Sequence, residues 1–142
     1  MERTQSHPSV ALFAFLRISI GICYLWFGLL KFFPGLSPAE SLAIDTITCL
    51  TFGLLPAKVS ILLLAIWEVV VGLSLISGFF MRYILIVALV HMALTFSPFF
   101  CFPGKIFGEA YFSLTIIGQY IIKNLVLIAG LLLLRSELRH SA

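Results

Sequence analysis

The stretch from Tyr111 to Leu134 (YFSLTIIGQYIIKNLVLIAGLLLL) does most to restrict what this chain can become. At a rise of 1.5 Å per residue, about 24 residues make one full bilayer crossing. Lys123 stands at its midpoint, with Asn124 beside it and Gln119 one turn earlier. An ionisable residue at that depth costs roughly 2.5–3.5 kcal/mol on insertion scales, so it belongs inside a bundle, against a partner or a polar cavity.

Composition agrees with a chain built for lipid. Of its 142 residues, 61% are hydrophobic and 11% charged, and the mean hydropathy is +1.15. A soluble domain is nearer about 45–50% apolar and about 25% charged. The apolar runs are too continuous for barrel strands, which alternate. The chain reads as a single membrane domain over residues 1–142. A net charge of +3 without a basic run gives no reason to expect a nucleic-acid partner. The first apolar run, Val10 to Leu16, is interrupted by Arg17, and no small-x-small cleavage pattern follows. It reads as a retained membrane helix, not a signal peptide.

Four crossings are expected: about 10–33, 58–77, 83–100 and 111–134. The fold class is therefore an all-α membrane protein, an antiparallel four-helix bundle. In the first crossing Arg17, Gly21, Tyr24, Gly28 and Lys31 recur at steps of three and four, one narrow stripe that faces the other helices. Lys31, at the helix end, is expected to snorkel to the surface; Arg17, deeper in, is a candidate for the interior. Between the first two crossings, Ser37-Pro38-Ala39-Glu40 has the pattern of a capping box, predicting a short interfacial helix over about 38–52 that lies as a lid on one end. Glu68 stands at the centre of the second crossing, with Gly72 on the same face. His91 lies near the middle of the third, and Pro98 is expected to bend or end it.

With helix directions alternating, Glu68, His91 and Lys123 fall at one depth, and Arg17 within about two turns of it. The simplest arrangement sets Glu68 between Lys123 and Arg17, with Tyr24, Gln119, Tyr120 and Asn124 adding hydrogen bonds. Two cations to one carboxylate suit an anionic or carbonyl-bearing ligand such as a quinone; a fully packed ion-pair core is the alternative. The candidate ligand-binding set is thus Arg17, Tyr24, Glu68, His91, Gln119, Tyr120, Lys123 and Asn124. Cys23 reads as a small apolar residue. Cys49 and Cys101 fall in loops on one side, where either a disulfide or two free thiols is open. His7, His91 and His140 are far apart, so no metal or haem site is expected, and no flavin motif is visible. The termini, Arg82, Arg135 and Arg139 share one side, which points to cytoplasmic termini.

The chain resembles the DoxX-like family of small four-helix bacterial membrane proteins. The resemblance rests on Arg17-x3-Gly21, Phe27-Gly28-Leu29-Leu30-Lys31-Phe32, Glu68-x3-Gly72, His91 with Thr95 and Pro98, and Gly118-Gln119-Tyr120-Ile121-Ile122-Lys123-Asn124. The first-helix segment and the fourth-helix lysine also resemble a related inner-membrane group tied to reactive chlorine resistance. This implies a multi-pass protein of the bacterial inner membrane with a redox or oxidative-stress association. Family members include a subunit of a thiosulfate:quinone oxidoreductase and a membrane partner of superoxide dismutase and a sulfurtransferase. It implies a quinone as ligand and a soluble or membrane redox partner; a homo-oligomer is open on other grounds, since a symmetric dimer could share His91. Two other classes stay open, a small-solute or anion transporter and a non-catalytic anchoring subunit; whether the chain is an enzyme is undecided.

Overall fold

The computed structural model describes residues 10–108 and 113–140. Its helices are α1 (Val10–Leu30), α2 (Glu40–Leu50), α3 (Ala57–Ser77), α4 (Met81–Leu94), α5 (Pro98–Cys101), α6 (Pro103–Ile106), α7 (Ile116–Ile122) and α8 (Asn124–His140). Among the described residues, four helical segments are long and apolar enough to cross a membrane: Val10–Leu30, Ala57–Ser77, Met81–Cys101 and Ile116–His140. The protein is an all-α membrane bundle.

The most extensive packing is between α1 and α3, followed by α4 against α8, with α8 also touching α1. Glycine decides the first of these. A Cβ on Gly72 would lie 2.6 Å from the Leu25 backbone nitrogen, and one on Gly21 would lie 3.0 Å from the Gly72 carbonyl oxygen. The backbones touch, which only small residues permit. Ile20, Tyr24, Val71, Leu75, Leu85, Ala88, Met92, Leu131 and Leu134, drawn from all four crossings, form the main core.

The turn between α3 and α4 is tight. Gly78 closes α3 in the left-handed region (φ +83°), its N–H donating to Ser74 O at 2.8 Å. Glycine adopts that conformation without a Cβ clash, and here a Cβ would also meet the Arg17 guanidinium at 2.7 Å.

Several boundaries differ from the sequence expectation. The predicted start of the fourth crossing, at Tyr111, lies outside the described residues, but Ser113 to Thr115 are not helical. Leu114 bridges Phe107 in an isolated antiparallel pair. Thr115 then caps α7, its hydroxyl accepting from Gly118 N at 3.1 Å and donating to Lys105 O at 2.7 Å. The crossing therefore begins at Ile116 and runs to His140, so Lys123 sits in its first third rather than at its midpoint. The helix loosens for one residue there: Lys123 stands between α7 and α8, with a right-handed helical backbone whose N–H still donates to Gln119 O at 3.2 Å. The third crossing breaks after Leu94, and Pro98 takes the first helical position of α5, where its missing N–H costs no hydrogen bond.

The capping box at Ser37 does not form. Ala39 stands at the N-cap of α2 with no side-chain cap, and the Glu40 carboxylate accepts from Gly35 N at 2.7 Å. The glutamate spends itself on the turn that leads into the helix, so α2 is shorter than the 38–52 expected. This helix packs on α3 and α5.

Candidate functional site

A cavity of about 1040 Å³ opens inside the bundle, walled by parts of α1, α2, α3, α4, α7 and α8. Its α2 wall is one helical stripe: Ala39, Leu42, Ala43, Thr46, Ile47 and Leu50. Spacings of three and four put these on one face. Two links hold α2 in place, the Cys49–Cys101 disulfide to the end of α5 and an ion pair from Asp45 to Lys105 at 2.6 Å.

The wall is mostly apolar, and its buried charges form a compact polar group. Glu68 Oε2 accepts from Lys31 Nζ at 2.6 Å, and both side chains are almost fully buried, at 11% and 6% exposure. Lys31 Nζ also donates to Phe27 O at 3.2 Å. His91 Nε2 lies 3.9 Å from the other carboxylate oxygen, close enough for electrostatic attraction and too far for a hydrogen bond. His91 Nδ1 is buried and has no hydrogen-bond partner among the described residues. Tyr24 stacks at a tilt against His91, ring centroids 5.7 Å apart, while its hydroxyl donates to Ala88 O at 3.2 Å.

The structure brings Tyr24, Glu68, His91, Tyr120, Lys123 and Asn124 to this one cavity, and leaves Arg17 and Gln119 out. The Arg17–Glu68–Lys123 arrangement is not what forms. Lys31, expected to snorkel outward, is the partner of Glu68. Arg17 Nη1 instead donates to the carbonyls of Leu75 (2.6 Å) and Ile76 (3.2 Å), closing the C-terminal turn of α3, where a cation also complements the helix dipole.

One rule explains both errors. Side chains on a helix lean toward its N-terminus. Arg17, in the first half of α1, therefore reaches toward the 78–80 turn. Lys31, just past the end of α1, folds back into the bundle and down to Glu68. Lys31 already belonged to the small-and-polar stripe of α1, so side-chain direction was the signal needed to find it.

The remaining polar residues have local partners. Asn124 Nδ2 donates to Thr95 Oγ1 at 3.0 Å, joining the third and fourth crossings. Gln119 Nε2 donates to Leu114 O at 3.2 Å, on the exposed side of α7. The Lys123 ammonium lies 3.4 Å from the centroid of the Tyr120 ring and 4.9 Å from that of Phe27, cation–π distances. Cys23 lines the cavity as a free thiol.

Chemically, the cavity offers an apolar body, a buried carboxylate–ammonium pair beside an imidazole, and a separate ammonium among aromatic rings. The first three crossings account for most of it. No curated protein and no solved structure matches the chain. The family model described as DoxX matches residues 12–102, a span that contains Tyr24, Lys31, Glu68, His91 and both bridged cysteines, and stops short of Tyr120, Lys123 and Asn124. With well over half its length inside that match, this membrane bundle belongs to the DoxX family.

Proposed function

We propose that the protein binds a quinone, or a similar small carbonyl-bearing redox molecule, in the bundle cavity. The observation that carries this reading is the cavity itself: about 1040 Å³, mostly apolar along its walls, with Lys31, Glu68 and His91 gathered on it. Pockets for small ligands are typically about 300–1,000 Å³, mostly apolar, with a few convergent polar groups. A quinone has that composition, a flat apolar ring and tail with two carbonyl oxygens. Its reduction consumes two protons, and Glu68 and His91 are the groups placed to exchange them.

In this reading the chain is a quinone-facing subunit of a bacterial plasma-membrane oxidoreductase complex, linked to oxidative stress and working with a redox partner. The Cys49–Cys101 bridge supports an orientation with the α2 end outside, where disulfides persist. Arg82, Arg135 and Arg139 at the opposite end support cytoplasmic termini.

The test uses Trp67, which lines the cavity, as an internal reporter in a Trp26→Phe background, since these are the two tryptophans of the chain. Saturable quenching by a short-chain ubiquinone in nanodiscs is expected, weakened at least about tenfold (1.4 kcal/mol) in the charge-neutral double variant Lys31→Met/Glu68→Leu. Quinone extracted with purified wild type and lost in that folded variant would agree. No quenching and no extracted quinone would move the assignment to an anchoring or transport role.

A further inference from the structure

We propose that the cavity's ligand carries an ionised oxygen on its ring, and that the Lys123 ammonium is its counter-charge. This rests on the quinone reading and sharpens it, from a neutral quinone to an acidic one.

Three residues in the cavity wall carry a formal charge: Lys31, Glu68 and Lys123. Lys31 and Glu68 satisfy each other at 2.6 Å and are buried against further approach. That leaves one positive charge over. Among the described residues, Lys123 makes no ion pair with a carboxylate; its ammonium lies over the faces of Tyr120 and Phe27. Ring faces attract a cation without neutralising it. This spare ammonium lines the cavity and is exposed, so an anionic group of a ligand can reach it.

Local structure points the same way. Lys123 is the single residue between α7 and α8. The next residue, Asn124, donates to Thr95 and anchors the backbone beside it, and unlike the buried Lys31 the Lys123 side chain is exposed. Phe27 and Tyr120 meet edge to face, centroids 5.8 Å apart, giving an aromatic flank for a planar ring whose oxygen reaches the ammonium. The two cations thus differ in kind. One is consumed by the protein, and the other is presented to the ligand.

The experiment compares two probes of one shape, 1,4-naphthoquinone, which is neutral, and 2-hydroxy-1,4-naphthoquinone, which is ionised at neutral pH. Binding is read by Trp67 quenching in the Trp26→Phe protein, in phosphatidylcholine nanodiscs. The ionised probe is expected to bind at least about tenfold more tightly to this parent protein. That preference, read as the ratio of the two probes' affinities in each protein, should vanish in Lys123→Met and persist in Lys123→Arg. Equal binding of the two probes to the parent, or a preference that survives Lys123→Met, overturns the inference while leaving the quinone reading intact. Failure of both probes to bind overturns both. Loss of the preference on adding phosphatidylglycerol would assign Lys123 to a lipid phosphate, and would also overturn it.

Discussion

The two halves of this bundle use the same four crossings in opposite ways. Toward the 78–80 turn the interior is closed: Leu75, Leu85 and Leu131 are completely buried, and Arg17 plugs the end of α3. Toward α2 the interior is open, and the helices stand around a cavity that holds Lys31, Glu68 and His91. Each half receives a long cation from the first crossing, Arg17 from within α1 and Lys31 from just past its end. In the closed half the cation satisfies backbone carbonyls; in the open half it satisfies a carboxylate. The difference teaches that where a cation sits on a helix does not fix where its charge lies. The lean of the side chain toward the N-terminus adds several ångströms, outward for Arg17 and inward for Lys31.

The sharpest way to break the comparison is to strip the open half of one charge. Glu68→Ala leaves the Lys31 ammonium buried without its partner, a loss expected to cost about 3–5 kcal/mol. Replacing both, as Lys31→Met with Glu68→Leu, should be close to neutral or stabilising, because an apolar pair escapes the desolvation penalty. Unfolding in mixed detergent micelles reads both. A single variant as stable as wild type would mean that the pair contributes nothing to holding α1 on α3. A double variant as damaged as the single one would mean that the carboxylate has another structural duty.

Next in size is the staple on the lid. The disulfide closes a loop of sequence separation 52, and removing it by Cys49→Ser with Cys101→Ser should cost about 2–4 kcal/mol. The effect should also be confined. Amide exchange should rise in α2, which that bridge holds to α5, and stay unchanged in the closed-half segments of α3 and α4. Uniform loosening of both halves would erase the distinction between them.

The closed half has its own test. A methyl on Gly72 meets the Leu25 backbone at 2.6 Å, and backbone cannot turn aside as a side chain can. Gly72→Ala is expected to cost about 1–3 kcal/mol through overpacking, with quinone affinity unchanged if the cavity is independent of that seam. Titration of the folded variant by Trp67 quenching checks this, and a parallel loss of affinity would show that the seam sets the cavity's shape.

How much of this was legible beforehand divides along the same line. The four crossings follow from the length of the apolar runs, and Glu68 and His91 stand at their centres because ionisable residues there are rare and face inward. That reasoning also brought Tyr24, Tyr120, Lys123 and Asn124 to one cavity. What failed was whatever depended on reach or on local competition. Arg17 and Lys31 exchanged environments because depth was read from Cα position. Gln119 turned to the Leu114 carbonyl, a backbone group of a loop whose course the sequence pattern does not show. Ser37 has the chemistry of an N-cap, yet Glu40 found the Gly35 amide first. The turn after Leu94 and the one-residue loosening at Lys123 were hidden for a further reason: apolar periodicity continues through them, and the Asn124–Thr95 bond marks where the two crossings meet.

The smallest expected effect lies on the lid's other tie. Asp45 and Lys105 pair at 2.6 Å, with side chains 38% and 51% exposed. At that exposure water screens the attraction and both side chains lose rotamer freedom, so Asp45→Asn should cost at most about 1 kcal/mol, and less as salt is added. Lys105 also has the Phe102 ring 5.2 Å away, so it retains a partner when the carboxylate is gone. The informative experiment combines the two ties. In the disulfide-free protein, Asp45→Asn should loosen α2 further than it does in the bridged parent, because the bridge alone fixes the lid when present. Exchange rates in α2 measured across the four proteins give the coupling directly. Strict additivity would mean that the two ties hold different parts of the helix, and that the lid has no single hinge.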